Sequence, residues 1–188
     1  MSNMFQGKLV RLRAGEPSEG VLFRDQDREH PDNGRYLYEI GFPEPRFEPP
    51  PVPTDSAKPH DDNFPFTIET LDSVVVGAIH MHHCNLRCGT FMYGIGIFAE
   101  HRRKGYAREA IWLALRYYFY ERRYQKCTAE VYSFNEASAR LHERLGFTLE
   151  GRLRRMMYTD GAFHDSLFFG ITHEEFRARD ITLQDGNR

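Results

Sequence analysis

Along the chain the apolar positions change period several times, and each change marks an element. KLVRLRA (8–14) alternates and ends at a turn, which predicts a first strand. FTIETL (66–71), VVVGAIHMH (74–82) and TFMYGIGIF (90–98) follow at short intervals and predict an antiparallel meander. From Gly105 to Tyr124 the spacing becomes i, i+3, i+4, so that Ala107, Ala110, Ile111, Ala114, Leu115 and Tyr118 form one helical stripe. KCTAEVY (126–132) reads as a strand, and NEASARLHERLGF (135–147) as a helix that Asn135 caps and Gly146 ends. Two further strands, near 147–158 and 163–171, flank the turn signal Asp160–Gly161. Residues 16–42 are polar, with short helical stretches around Val21–Asp27 and Arg35–Ile40. Between Pro43 and Pro65 lie eight of the ten prolines, a density that no helix or sheet interior survives. An extended loop inserted at about 43–65 is expected, either passive or covering a substrate. With no internal repeat, the order β, α, α, β, β, β, α, β, α, β, β predicts one α+β domain over residues 1–188 with a mixed sheet.

Composition narrows the partners. The 188 residues are 40% hydrophobic, enough for a core, and carry a formal net charge of −2. That balance argues against wholesale nucleic-acid or membrane binding, and no apolar run approaches the ~18 residues of a spanning helix. Three cysteines do not make a disulfide framework, and MSNMFQGKLVRLRAG lacks the apolar core of a secretory signal. A cytoplasmic, reduced protein is expected, with no direct nucleic-acid partner and no membrane partner.

Chemistry concentrates at RRKGYA (102–107), where a strand meets a long helix. The first amides of a helix lack internal partners and the helix dipole adds positive charge there, so such a corner can hold an anion. Gly105 admits close approach, and Arg102, Arg103, Lys104 and Arg108 add full charges. Neither G-x-x-x-x-G-K-[ST] nor G-x-G-x-x-G is present, which disfavours nucleotide hydrolysis and dinucleotide redox chemistry. On these residues alone a diphosphate site and a solvated basic turn are both open. The run HMHHCNLRC (80–88) matches no zinc spacing, so no metal is expected. Alternation puts His80 and His82 on one side of a strand and His83 on the other. Glu69 is a second base candidate, and Asp61–Asp62 is either a cation lure or a solvated loop.

YGIGIFAEHRRKGYAREA (93–110) resembles the acyl-CoA-binding motif of the GNAT superfamily of N-acetyltransferases, with Arg102, Gly105 and Ala107 on its R-x-x-G-x-A core. NEASARLHERLGF resembles the second signature of that superfamily, and LEGRLRR (149–155) with DGAFHD (160–165) is similar to the branch that acetylates ribosomal-protein N-termini. The resemblance implies a single domain whose central sheet of about seven mostly antiparallel strands carries helices on both faces. It implies acetyl-CoA as cosubstrate and an amine acceptor, a protein N-terminus or a small molecule. Gly96, Ile97 and Phe98 would pair with the pantetheine arm, and Arg103, Lys104, Gly105, Tyr106 and Ala107 would wrap the diphosphate, with Arg102 and Arg108 beside them. Asn135 and Ser138 would meet the arm, with Ser138 near the sulfur. His142 stands where many relatives carry a tyrosine acid, and Met157 where the ribosomal branch can carry a glutamate base. Methionine accepts no proton, so the histidines of the 80–83 run, with His82 as the catalytic candidate, stand as replacement bases beside Glu69. Monomer and homodimer are both open, as is an acyl-CoA sensor without catalysis.

Overall fold

The computed structural model describes residues 3–16, residue 19 and residues 62–185. Seven strands form one sheet in the order β1-β2-β3-β4-β5-β7-β6. They are β1 (Val10–Ala14), β2 (Pro65–Thr70), β3 (Val75–Asn85), β4 (Thr90–Ile97), β5 (Lys126–Tyr132), β6 (Thr148–Thr159) and β7 (Ala162–Thr172). Every neighbouring pair is antiparallel except β4 and β5. Three helices are described: α1 (Tyr106–Arg116), α2 (Glu136–Leu145) and α3 (His173–Asp185). The predicted mixed α+β sheet is therefore present, with strand limits close to those read from alternation.

The core follows that alternation. Phe66, Ile79, Met81, Phe91 and Tyr93 point to one side of the sheet and are buried there. Phe91 stacks on Tyr118 at the end of α1, and Tyr93 stacks on His142 of α2. The described helices thus share one face. The short helical stretches expected around Val21–Asp27 and Arg35–Ile40 lie outside the described residues, as does the loop from 43 to 61. Glu19 is described; it is helical and buried, and it accepts a hydrogen bond from the Thr67 hydroxyl at 2.8 Å. Thr67 lies between two core residues of β2, so it faces away from the helices.

Four departures from the sequence reading have physical causes. The α1 helix ends at Arg116 and continues as a π turn, Tyr117–Glu121. The extra residue in that turn sends both Tyr118 and Phe119 into the core, while the Tyr120 hydroxyl reaches Asp180 at 3.1 Å. The α3 helix has no clear apolar stripe and was not expected. Phe176 fixes it against Trp112 and Phe119, and the buried Asp180 accepts from the Trp112 indole at 3.1 Å. Pro65 opens β2, the strand position where a missing donor costs least. Asp62 is neither a lure nor solvated: it is buried and bonded to Arg122 and to the Tyr124 hydroxyl, while its carbonyl takes the Tyr118 hydroxyl at 2.6 Å.

On the sheet face away from the helices, Arg13 bridges Glu19 and Glu69, and Arg11 also bonds Glu69. Arg13 is the main cause that lowers both carboxyls, Glu19 from an ordinary 4.5 to about 2. A carboxyl held low adds stability that is complete above its unfolded-chain value and is lost as pH falls through its folded value. Unfolding free energy should therefore decline between pH 4.5 and about 2. Glu19→Gln should lower stability at pH 7 by about 1–3 kcal/mol and flatten that decline, both read by denaturant titration across pH.

Candidate functional site

Two neighbouring strands part at the centre of the sheet. β4 and β5 pair only from Thr90 with Lys126 to Met92 with Thr128. Beyond that point β4 stays with β3 as far as Ile97, and β5 stays with β7 as far as Tyr132. The β4 backbone from Tyr93 onward therefore faces a gap. Among the described residues nothing lies within 4 Å of where a Cβ would stand on Gly94 or Gly96. A Cβ on Gly77 of β3 would run into the Gly96 carbonyl, so glycine at 77 lets β3 hold β4 in place. Gly96 and Ile97 lie on the open stretch. Phe98 is anchored inward: its N–H donates to Val76 at 2.9 Å, and its carbonyl accepts from His101 at 2.9 Å.

A short turn, Ala99–His101, leads from this gap to the basic corner. Arg102, Arg103, Lys104 and Gly105 are exposed there. Arg103 (φ 62°) and Gly105 (φ 88°) are left-handed, and α1 starts at Tyr106 with Ala107 and Arg108 in its first turn. Its first amides therefore point outward beside Arg103, Lys104 and Arg108. Arg102 turns back, its Nε donating to the Ile97 carbonyl at 3.0 Å. Glu109 also sits in this first turn, an acid beside an expected anion site. Its carboxylate is occupied, accepting the N–H groups of Lys8, Leu9 and Val10 at 2.8, 2.7 and 2.7 Å. A Cβ on Gly7 would collide with it. No periodicity in the sequence marks this clamp, because its partners are 99 to 101 residues apart.

On α2, Asn135 caps the helix, its Oδ1 accepting the Ser138 N–H at 3.1 Å. Ser138 and His142 share a face as their spacing predicts, with Oγ and Nδ1 3.5 Å apart. His142 is 2% exposed. Its Nδ1 lies 2.8 Å from the Ser138 carbonyl, which only accepts, so Nδ1 carries the proton. Its Nε2 therefore accepts, and the Tyr93 hydroxyl donates to it at 2.7 Å. Burial pushes the histidine below its ordinary pKa and the Tyr93 phenol well above its own, so both are neutral at pH 7. In this geometry neither His142 nitrogen is open to a leaving sulfur, which removes the footing for the acid role expected of it; the ring links α2 to β4.

The histidine run differs from its predicted alternation. The β3–β4 register shifts between His82 and Asn85, and His83 is left-handed at φ 52°. This bulge swings His83 toward His82, and their Nδ1 atoms are 2.7 Å apart. His80 follows on the same face, its ring 5.9 Å from that of His82. Partial burial lowers the His82 pKa, helped by the neighbouring His83 and His80 and opposed by Glu130. The other base candidates are closed: Glu69 is ion-paired to Arg13 and Arg11, and Met157 is a buried methionine. Among the described residues, no cluster of three groups that could hold a metal is formed, and no helix is long and apolar enough to cross a membrane.

Comparison with known proteins bears on this arrangement. The profile of the family described as "Acetyltransferase (GNAT) domain" matches residues 45–148, more than half of the chain. The SPbeta prophage-derived uncharacterized N-acetyltransferase YokL of Bacillus subtilis (strain 168) is 39% identical over 170 residues, 90% of this chain and 93% of the relative. An uncharacterized N-acetyltransferase of the same organism, YoaA, is 34% identical over 97 residues, 52% of this chain and 55% of that one. Among solved structures, a spermidine N-acetyltransferase from Vibrio cholerae in complex with CoA and spermine superposes with a TM-score of 0.75. It is 23% identical, and the match covers 90% of this chain and 99% of that one.

The basic corner is exposed, so its charges can be reversed without disturbing the core. Arg103→Glu and Lys104→Glu should each weaken coenzyme A binding at least about tenfold, since a charged hydrogen bond contributes about 1.5–3 kcal/mol. Calorimetry checks this; unchanged affinity in both variants would place the carrier elsewhere.

Proposed function

Because the chain belongs to the GNAT acetyltransferase family and is an acyl-CoA-dependent N-acetyltransferase, we propose that it acetylates a weakly basic primary amine, such as a peptide N-terminus, by direct attack in a ternary complex. The observation that carries the site assignment is the parting of β4 from β5 over bare glycines, next to the left-handed basic corner. Gly96 and Ile97 offer backbone groups to the pantetheine arm. Arg103, Lys104 and the amides of Gly105, Tyr106 and Ala107 take the diphosphate, with Arg108 at its rim. Arg102 acts chiefly by fixing the Ile97 carbonyl, and Phe98 by anchoring the strand end. Asn135 shapes the start of α2, and the Ser138 hydroxyl meets the departing sulfur.

The acceptor follows from the bases that are present. An amine must lose its proton before it attacks. An α-amine of pKa about 7.8 is roughly 14% neutral at pH 7, a cost near 1 kcal/mol, whereas an amine near 10.4 costs about 4.6 kcal/mol. Glu69 is held by arginines and Met157 takes no proton, so among the candidates read from the sequence the histidines near the gap remain as bases. Such bases serve a low-pKa amine better than a lysine or a polyamine. The kinship with ribosomal-protein acetyltransferases drawn from LEGRLRR and DGAFHD belongs to this reading.

A second reading takes its support from the overlaid structures, one of them a complex with CoA and spermine: a small polyamine as acceptor. Release of thiol from acetyl-CoA, measured at pH 7 with an amino-terminal peptide, a lysine side-chain analogue and spermidine, separates the two. The peptide should be favoured in kcat/KM by at least about tenfold, part of the ~3.6 kcal/mol difference in deprotonation cost. A preference for spermidine would overturn the weakly basic acceptor. Acetyl-CoA binding with no thiol release from any amine would favour a sensor.

A further inference from the structure

We propose that Glu109 is a positioning residue for coenzyme A: its carboxylate is seated on the amides of Lys8, Leu9 and Val10, and this seat keeps an internal competitor off the basic corner. The proposal rests on the transferase reading above, which puts the diphosphate at residues 103–107. Glu109 is the acid in the first turn of α1, and its own N–H donates to the Gly105 carbonyl at 3.2 Å. A carboxylate rooted there is attracted to the same groups as a diphosphate. These are the outward amides at the start of α1, the positive end of the helix dipole, and the charges of Arg103, Lys104 and Arg108. Without another partner it would compete for the corner.

The structure gives it another partner. Its Oε1 accepts the Lys8 N–H at 2.8 Å, and its Oε2 accepts those of Leu9 and Val10, each at 2.7 Å. Successive amides converging on one anion make a concave seat. The segment that supplies them is held by contacts in which Glu109 takes no part. The Gly7 N–H donates to the Val10 carbonyl at 2.8 Å and closes a turn, and the Leu12 N–H donates to the Phe5 carbonyl at 2.8 Å. The Phe5 ring lies 5.7 Å from that of Phe66 in β2 and 5.0 Å from that of Tyr117 after α1. The same turn lays Leu9 beside the corner, where a Cβ on Gly105 would come to 3.2 Å from its Cδ1. The segment therefore acts twice on the carrier site: it takes up the competing carboxylate, and it backs the left-handed glycine.

Seated or released, the carboxylate biases coenzyme binding, and such a bias is reciprocal. Coenzyme A must strengthen the seat by the factor by which the seat strengthens coenzyme A. Gly7 is where the seat can be broken without touching the corner. It is not among the left-handed glycines, so alanine fits its backbone, yet a Cβ there overlaps the Glu109 carboxylate.

Calorimetry of coenzyme A binding at low and high salt, with denaturant titration as the check on folding, tests this. Gly7→Ala should weaken binding about tenfold at low salt, the scale of one charged contact. That deficit should shrink severalfold in about 0.5 M salt, where the freed charge is screened. Adding Glu109→Gln to Gly7→Ala removes the freed charge and should tighten binding severalfold over Gly7→Ala alone. A clamp that is only structural predicts the opposite, since the second substitution dismantles it further. In the unaltered protein, coenzyme A should slow hydrogen exchange at Lys8, Leu9 and Val10 about tenfold, and more than at the amides of β6. A folded Gly7→Ala protein with wild-type affinity, or a double variant no tighter than Gly7→Ala, would overturn the competitor assignment while leaving the transferase intact. Exchange at residues 8–10 that ignores coenzyme A would overturn the coupling, and this arm decides even where Gly7→Ala fails to fold. An unaltered protein that takes up no coenzyme A would overturn the site reading and this one together.

Discussion

The separation of β4 from β5 is the constraint around which the molecule is organised. A parallel pair in an otherwise antiparallel sheet needs a long crossover, and α1 with its π turn supplies it. The two strands share only three residue pairs, then leave each other for better partners: β4 is held by β3 up to Ile97, and β5 by β7 along its whole length. A gap in the middle of a sheet exposes unpaired backbone groups, which is costly unless something else satisfies them. A ligand with amide groups of its own could do so, which is the role the proposed function gives to the gap.

Holding the gap open requires that neither wall move. On one side Gly77 allows β3 to approach the Gly96 carbonyl, and Phe98 ties the end of β4 back to Val76. Beneath it, Tyr93 donates to His142, and His142 donates to the Ser138 carbonyl, so β4 is fastened to α2. The chain of donors ends at a phenol whose ionisation burial strongly opposes, so it cannot pass a proton onward. A catalytic acid would need one nitrogen free. At the position that the resemblance marks for catalysis, both ring nitrogens are thus engaged within the fold.

Much of this was legible in the chain. Alternation over KLVRLRA, KCTAEVY and TFMYGIGIF located strands because one face of each is buried and the other is not. Asn135 and Gly146 marked the limits of α2 because caps are local chemistry. RRKGYA was readable as a corner for the same reason. The α3 helix was not, since HEEFRARDITLQD has no clear stripe and Phe176 and Asp180 hold it through tertiary contacts. Nor was Glu109, whose three amide donors come from a segment about a hundred residues away. In the histidine run, alternation put His80 and His82 on one side, as found, but sent His83 to the other. A bulge adds a residue to one strand without any composition signal, and a single left-handed turn at His83 reverses the parity of everything after it.

That reversal has a chemical consequence that neither histidine would have alone. An isolated half-buried imidazole loses affinity for a proton because its charged form is poorly solvated. Here the neighbouring His83 and His80 act in the same direction as burial, and Glu130 opposes them. Backbone geometry at one position, the left-handed residue in the β3 bulge, thus decides which imidazoles of this face meet.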